Sequence, residues 1–171
     1  MQPGRSESAI MTSAEQARFR IDRPNSRPRA TRIIALDDRS FAALAAVKDR
    51  GWNGARFLRY VGAREASPHL RSLAIDAILR DADGREVSLV KEVSGADTVV
   101  LVTATDAAAE AAEIIGNACA PRGIALTALV LAPAGEGALG RVLAALRPHA
   151  SMLVVSSGED YVGEMLAALR A

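Results

Sequence analysis

The chain has 171 residues, half of them apolar, which is enough for one sizeable core and makes one main domain the expectation. A formal net charge of +1 with both signs interspersed supplies no long-range field for nucleic acid or an acidic membrane surface. The single cysteine, Cys119, rules out an intramolecular disulfide, and no apolar run approaches the roughly 20 residues of a bilayer span, so a soluble, cytoplasmic protein is expected.

Residues 1–30 contain Pro3, Gly4, Pro24, Pro28 and a series of arginines from Arg5 to Arg29, with few large apolar groups. Such a stretch cannot bury enough surface to offset its chain entropy and reads as a disordered basic tail, either a solvated leader or an arm for an acidic partner. From Arg32 onward short apolar runs alternate with helical stretches, the signature of βα units and a parallel sheet. Residues 33–36 form the first expected strand, and Asp37, Asp38 and Ser40 offer capping oxygens to a helix over 41–50. Gly51 is placed to end that helix in the left-handed conformation, and residues 55–61 form the second strand.

Residues 62–95 admit two readings. Asp81-Ala82-Asp83-Gly84 has the composition of a hairpin turn, while Val87, Leu89, Val90 and Val93 give one apolar side to a helix over 85–93. The helix is preferred, because a crossover should precede the next parallel strand. The remainder is clearer: strands over 98–103, 124–131 and 152–155 alternate with helices over 107–119, 138–146 and 160–169, and each switch is marked by Gly or Pro. The expected fold is α/β, a three-layer, doubly wound, mostly parallel Rossmann-like sheet.

Gly95-Ala96-Asp97-Thr98-Val99-Val100-Leu101-Val102-Thr103-Ala104, a helix, and then Arg122-Gly123-Ile124-Ala125-Leu126 resemble the central part of the nucleotide domain of FtsZ, the bacterial tubulin relative. Pro148-His149-Ala150-Ser151 running into Met152-Leu153-Val154-Val155 is similar to that family's helix, His-Val-Asp and apolar strand segment. Element order agrees from about residue 31 to residue 171, and residues 95–155 carry the resemblance. It implies a nucleotide-type α/β domain over 31–171, yet the glycines that close backbone amides on phosphates are missing. Leu36-Asp37-Asp38-Arg39-Ser40 stands at the first loop, where two carboxylates would repel an anion, and Ala104-Thr105-Asp106-Ala107-Ala108-Ala109 stands at the second. The resemblance also stops before the family's central helix, acidic catalytic loop and second domain, so GTPase activity is not expected.

Candidate ligand residues are Asp37, Asp38, Ser40, Thr103, Thr105 and Asp106, all expected beyond the carboxyl ends of adjacent strands, where open α/β sheets bind ligands. Their oxygens suit either a divalent cation or cationic small molecule, or simply the caps of two helices. An alternative cofactor loop is Gly135-Glu136-Gly137-Ala138-Leu139-Gly140, a literal G-x-G-x-x-G with Glu159 and Asp160 about twenty residues on. Its bland counterpart is a flexible loop in which Gly140 permits close helix packing. No catalytic residue and no metal site is expected; His69 and His149 are too far apart in sequence to define one, and Cys119 between alanines reads as a buried thiol. Trp52 and Tyr161 are expected to pack or half-pack.

No cofactor is expected, since neither GTP nor NAD has a sufficient motif behind it. The leading functional expectation is a non-catalytic FtsZ/tubulin-like domain acting through self-association or another protein. The alternative is a small Rossmann-like enzyme or sensor for a nucleotide or metabolite at the strand ends.

Overall fold

A computed structural model describes residues 29–65, 75–132, 139–169 and 171. All but the last two residues of the expected basic tail, together with His69, Gly135 and Gly137, lie outside the described residues. The described strands are β1 (Thr31–Ala35), β2 (Ala55–Glu65), β3 (Ile75–Asp81), β4 (Glu86–Ser88), β5 (Thr98–Thr103), β6 (Ala125–Leu131) and β7 (Ala150–Ser156). The helices are α1 (Asp38–Ala45), α2 (Leu89–Ser94), α3 (Ala109–Cys119), α4 (Gly140–Leu146) and α5 (Tyr161–Ala168), with short 3-10 turns at Asp106–Ala108 and Ala120–Arg122.

One seven-stranded sheet runs in the order β4-β3-β2-β1-β5-β6-β7. Its five central and right-hand strands, β2-β1-β5-β6-β7, are parallel, and β3 and β4 add antiparallel at one edge. The core strands read as continuous apolar runs because both faces are covered. Ile34, Val99, Leu101, Leu126, Ala128 and Val130 pack with α2, α3 and α4 on one side. Ile33, Ala35, Val100, Val102, Leu129 and Leu131 pack with α1 and α5 on the other. The expected three-layer α/β architecture is therefore present.

Within 62–95, of which residues 66–74 lie outside the described residues, the hairpin and a shorter helix are both present. The hairpin forms: Gly84 donates to the Asp81 carbonyl (3.0 Å) at φ 80°, and one Asp81 carboxylate oxygen accepts from the amides of Asp83 (3.0 Å) and Arg85 (2.9 Å). The Arg85 amide foremost, then the Asp83 amide and the Arg56 guanidinium, hold the Asp81 carboxyl below the usual carboxylate range. The helix expected over 85–93 is corrected to α2, which starts at Leu89, because Val87 is committed to pairing with Leu79 and Ser88 caps the amide of Lys91 (3.4 Å). Asp76 secures the junction by accepting from the Ser88 hydroxyl (2.8 Å) and the Val90 amide (3.1 Å). β2 outruns its expected end and bends where Val61 is the extra residue between the Tyr60–Leu79 and Gly62–Ile78 pairs.

α1 also differs from expectation, running over Asp38–Ala45 rather than 41–50. It starts early because Asp37 caps it, and it unwinds into turns before Gly51, which does take the left-handed conformation at φ 77°. Trp52 half-packs, donating its indole N–H to the Val47 carbonyl (2.8 Å) beside Phe57, while Tyr161 is exposed. Cys119 is buried, and that burial pushes its thiol up to about 12, so it is not a thiolate at neutral pH.

His149 seats its ring on α3 where Gly116 leaves room: a Cβ at Gly116 would fall 2.3 Å from the ring and 2.8 Å from the His149 Cβ. Gly116→Ala is therefore expected to destabilise, overpacking by about 1–3 kcal/mol against a helix-propensity gain of about 1 kcal/mol. Gly163→Ala is the control, since its close neighbour is the mobile end of the Arg50 side chain, 2.3 Å away. Urea midpoints of the two variants should separate, with Gly116→Ala the lower; equal midpoints would mean that His149 moves aside freely.

Candidate functional site

The chain order reverses direction between β1 and β5. From β1 it passes outward to β2, then returns to place β5 on the other side of β1. In open α/β sheets the crevice at that switch, beyond the carboxyl ends of the strands, is where ligands bind. Asp37 follows β1 by two residues, and Thr103 ends β5, so the first and second loops of the sequence reading face one another there.

The crevice is closed by a side chain of the protein itself. One Asp37 carboxylate oxygen accepts from the Ser40 amide (2.8 Å) at the N-terminus of α1. The other accepts from the Thr103 hydroxyl (2.9 Å) and from the Ala104 amide (2.8 Å) at the end of β5. Ser40 reciprocates, its hydroxyl accepting from the Asp37 amide (3.2 Å), which completes a capping box. Two backbone amides and a hydroxyl converging on one anionic group from a helix N-terminus and a strand end form a phosphate-type environment, and here the anion is Asp37.

The neighbouring polar groups are engaged in the same way. Thr105 accepts from the Ala107 amide (3.3 Å), capping the 3-10 turn. Asp106 reaches across to α4 and accepts from the Val142 amide (2.9 Å), so a carboxylate also occupies the start of the helix that follows the G-x-G-x-x-G. Asp38 is exposed and pairs with Arg59, whose guanidinium lies 5.0 Å over the Phe41 ring. Arg39 joins α1 to the loop after β7 through Glu159 (3.0 Å). Of the alternative loop only Leu139 and Gly140 are described. A Cβ there would meet open space, so close helix packing is not what places a glycine at that position.

Asp37, Ser40, Thr103 and Ala104 are thus one constellation, while Thr105, Asp106 and Asp38 each serve a different partner. Sequence reasoning did not find the Val142 amide or Arg59. The Asp37-x-x-Ser40 spacing is a capping-box signal, but nothing local could have revealed that the same carboxylate also holds β5, 66 residues away. Among the described residues, concavities elsewhere include one of about 180 Å³ between α1, β2 and the hairpin, floored by Phe41, Leu44 and Phe57, and one of about 500 Å³ between α3 and α4 beside Glu110, Arg141 and His149. Neither is lined by Asp37 or Thr103. Among the described residues no group of three His, Cys, Asp or Glu side chains is arranged to hold a metal ion, and no helix is long and apolar enough to cross a membrane.

Scans against protein-family models, curated proteins and solved structures find no match to this chain.

Proposed function

We propose that this chain is a relative of the FtsZ/tubulin nucleotide domain that no longer takes a nucleotide and works by associating with protein, either a second copy of itself or another chain. The observation that supports this reading is the Asp37 carboxylate, which satisfies the amides of Ser40 and Ala104 and the hydroxyl of Thr103 where a phosphate would otherwise sit. A bound phosphate would have to displace a covalently tethered anion and then lie against it. Like charges at that spacing repel, and the tethered group has no translational entropy to lose on seating. The Asp106–Val142 cap applies the same argument to α4, where a dinucleotide pyrophosphate would need free amides.

Loss of nucleotide contacts leaves the framework that the family also uses to assemble. The seven-stranded sheet is covered on both faces by helices, which supports reading it as an intact α/β framework.

Thermal unfolding with GTP, GDP, NAD and Mg²⁺ tests the first half. A ligand held by the folded state at a hundred times its Kd adds about 2.7 kcal/mol, so binding would show as a shift of several degrees. No shift is expected with any of them; a clear rise with GTP would refute the reading. Light scattering against protein concentration, with pull-down from lysate, tests the second half. A chain that stays monomeric and captures no specific partner does not work by association.

A further inference from the structure

We propose that the concavity between α1, β2 and the hairpin is a binding site for a small apolar acid, one aromatic ring carrying a carboxylate. Such a site goes beyond the association reading and does not depend on it. It exists because α1 and α5 cover β1, β5 and β6 through Ile33, Ala35, Val100, Val102, Leu129 and Leu131, and leave the same face of β2 only partly covered. Phe57, level with Ile33 in the register, is therefore half-buried on that face. Phe41 and Leu44 of α1 form one wall, Phe41 being 42% exposed, and Ala82 and Gly84 of the hairpin turn form another. The volume of about 180 Å³ is close to the size of an apolar cavity that takes up benzene, about 150 Å³, so the site is sized for one six-membered ring and not for a nucleotide.

Charge selects an acid over a neutral or basic ring. Lys48, Arg59 and Arg80 line the concavity against one carboxylate, Asp81, whose oxygens are taken up by the amides of Asp83 and Arg85 and by Arg56. Arg59 pairs with Asp38 and Arg80 with Glu86 (3.3 Å), so both arginines are already matched. Lys48 is the remaining cation, and among the described residues it pairs with no carboxylate. Its compact charge on a flexible four-carbon stem suits it to meet a carboxylate at the mouth while the ring lies on the apolar floor. The Arg59 guanidinium, 5.0 Å over the Phe41 ring, sets a second positive charge at the aromatic wall and disfavours a cationic guest. Phe41 and Phe57 offer ring faces and edges that favour an aromatic body.

Amide-resolved NMR of the full chain, titrated with phenylacetate and with its neutral counterpart phenylacetamide at constant ionic strength, tests both the place and the charge. Phenylacetate is expected to shift the amide signals of Phe41, Ala45, Phe57 and Gly84 saturably, with a Kd of about a millimolar for a ligand of about ten non-hydrogen atoms. Phenylacetamide should bind at least about threefold more weakly, since it forgoes the ion pair with Lys48. Lys48→Glu should weaken phenylacetate by roughly fivefold and leave phenylacetamide unchanged. Ala45 lines the concavity from an exposed position on α1, so Ala45→Phe should fill it and remove binding of both compounds, with the rest of the spectrum showing the chain folded. No saturable shift at these residues, equal affinity for the two compounds, or binding that survives Ala45→Phe overturns the proposal and leaves the association reading untouched. If neither compound binds and Ala45→Phe abolishes capture of a protein in the pull-down, the concavity seats a partner's side chain and the acid is the wrong occupant.

Discussion

Glu92→Ala is expected to lower the unfolding free energy by about 3–5 kcal/mol, because it leaves one largely buried arginine without its counter-charge and loosens a second. Glu92 is almost fully buried on α2, its side chain 6% exposed, and it holds two cations: Arg32 of β1 at 2.8 Å and Arg56 of β2 at 2.9 Å. Arg56 reaches on to Asp81 at the tip of the hairpin (3.2 Å), and Arg32 also donates to the Gly95 carbonyl (3.3 Å). One carboxylate therefore ties two parallel strands, the antiparallel edge and the short helix α2 together beneath the sheet, opposite the Asp37 crevice. The six-residue α2 is too short to be stable by propensity alone, so it depends on such contacts. Arg32 is the sensitive partner at 15% exposed; Arg56 is more open at 42% and can turn to solvent. Urea unfolding of Glu92→Ala and Arg56→Ala should show the asymmetry, with Arg56→Ala markedly milder. Equal small effects would mean that water reaches Arg32 as readily as Arg56.

What was legible in the sequence follows from burial. β1, β5 and β6 are covered on both faces, so each needs apolar residues at successive positions, and a run such as Val99-Val100-Leu101-Val102 cannot be mistaken. The antiparallel edge was harder, since Val87, Leu89, Val90 and Val93 satisfy a strand and a helix at once. The choice is made by Asp81 and Asp76, polar residues that fix the turn and the start of α2 through bonds to backbone amides. Candidate residues were found where the strand ends put them, but their partners were not. The bonds from Asp37 to β5, from Asp106 to α4 and from Glu92 to β1 and β2 join residues 36 to 67 positions apart. Contacts at that range depend on strand order, which no local pattern encodes.

Asp37→Ala is expected to be the second most damaging single change and the one that bears on function. It removes the α1 cap, about 1 kcal/mol, and leaves the Ala104 amide and Thr103 hydroxyl without their charged acceptor, for a total of about 2–3 kcal/mol. The cost stops short of a fully buried loss because Asp37 is half-buried and water can reach the vacated place. For a chain of this length that is a fall in Tm of roughly 5–10 °C. Asp37→Asn should lie between, since its amide keeps one acceptor oxygen but turns a donor toward either Ser40 or Ala104. The alanine variant also leaves a seat built from the amides of Ser40 and Ala104 and the hydroxyl of Thr103, with no anion in it. Inorganic phosphate should therefore raise the Tm of Asp37→Ala in a concentration-dependent way, at constant ionic strength, and leave the wild type unchanged. Equal stabilisation of both proteins would show that the native carboxylate does not exclude an anion, and the case for a nucleotide-free domain would lose its physical basis. Selective rescue of the variant would show instead that an anion-binding turn persists in this fold and that a single aspartate closes it.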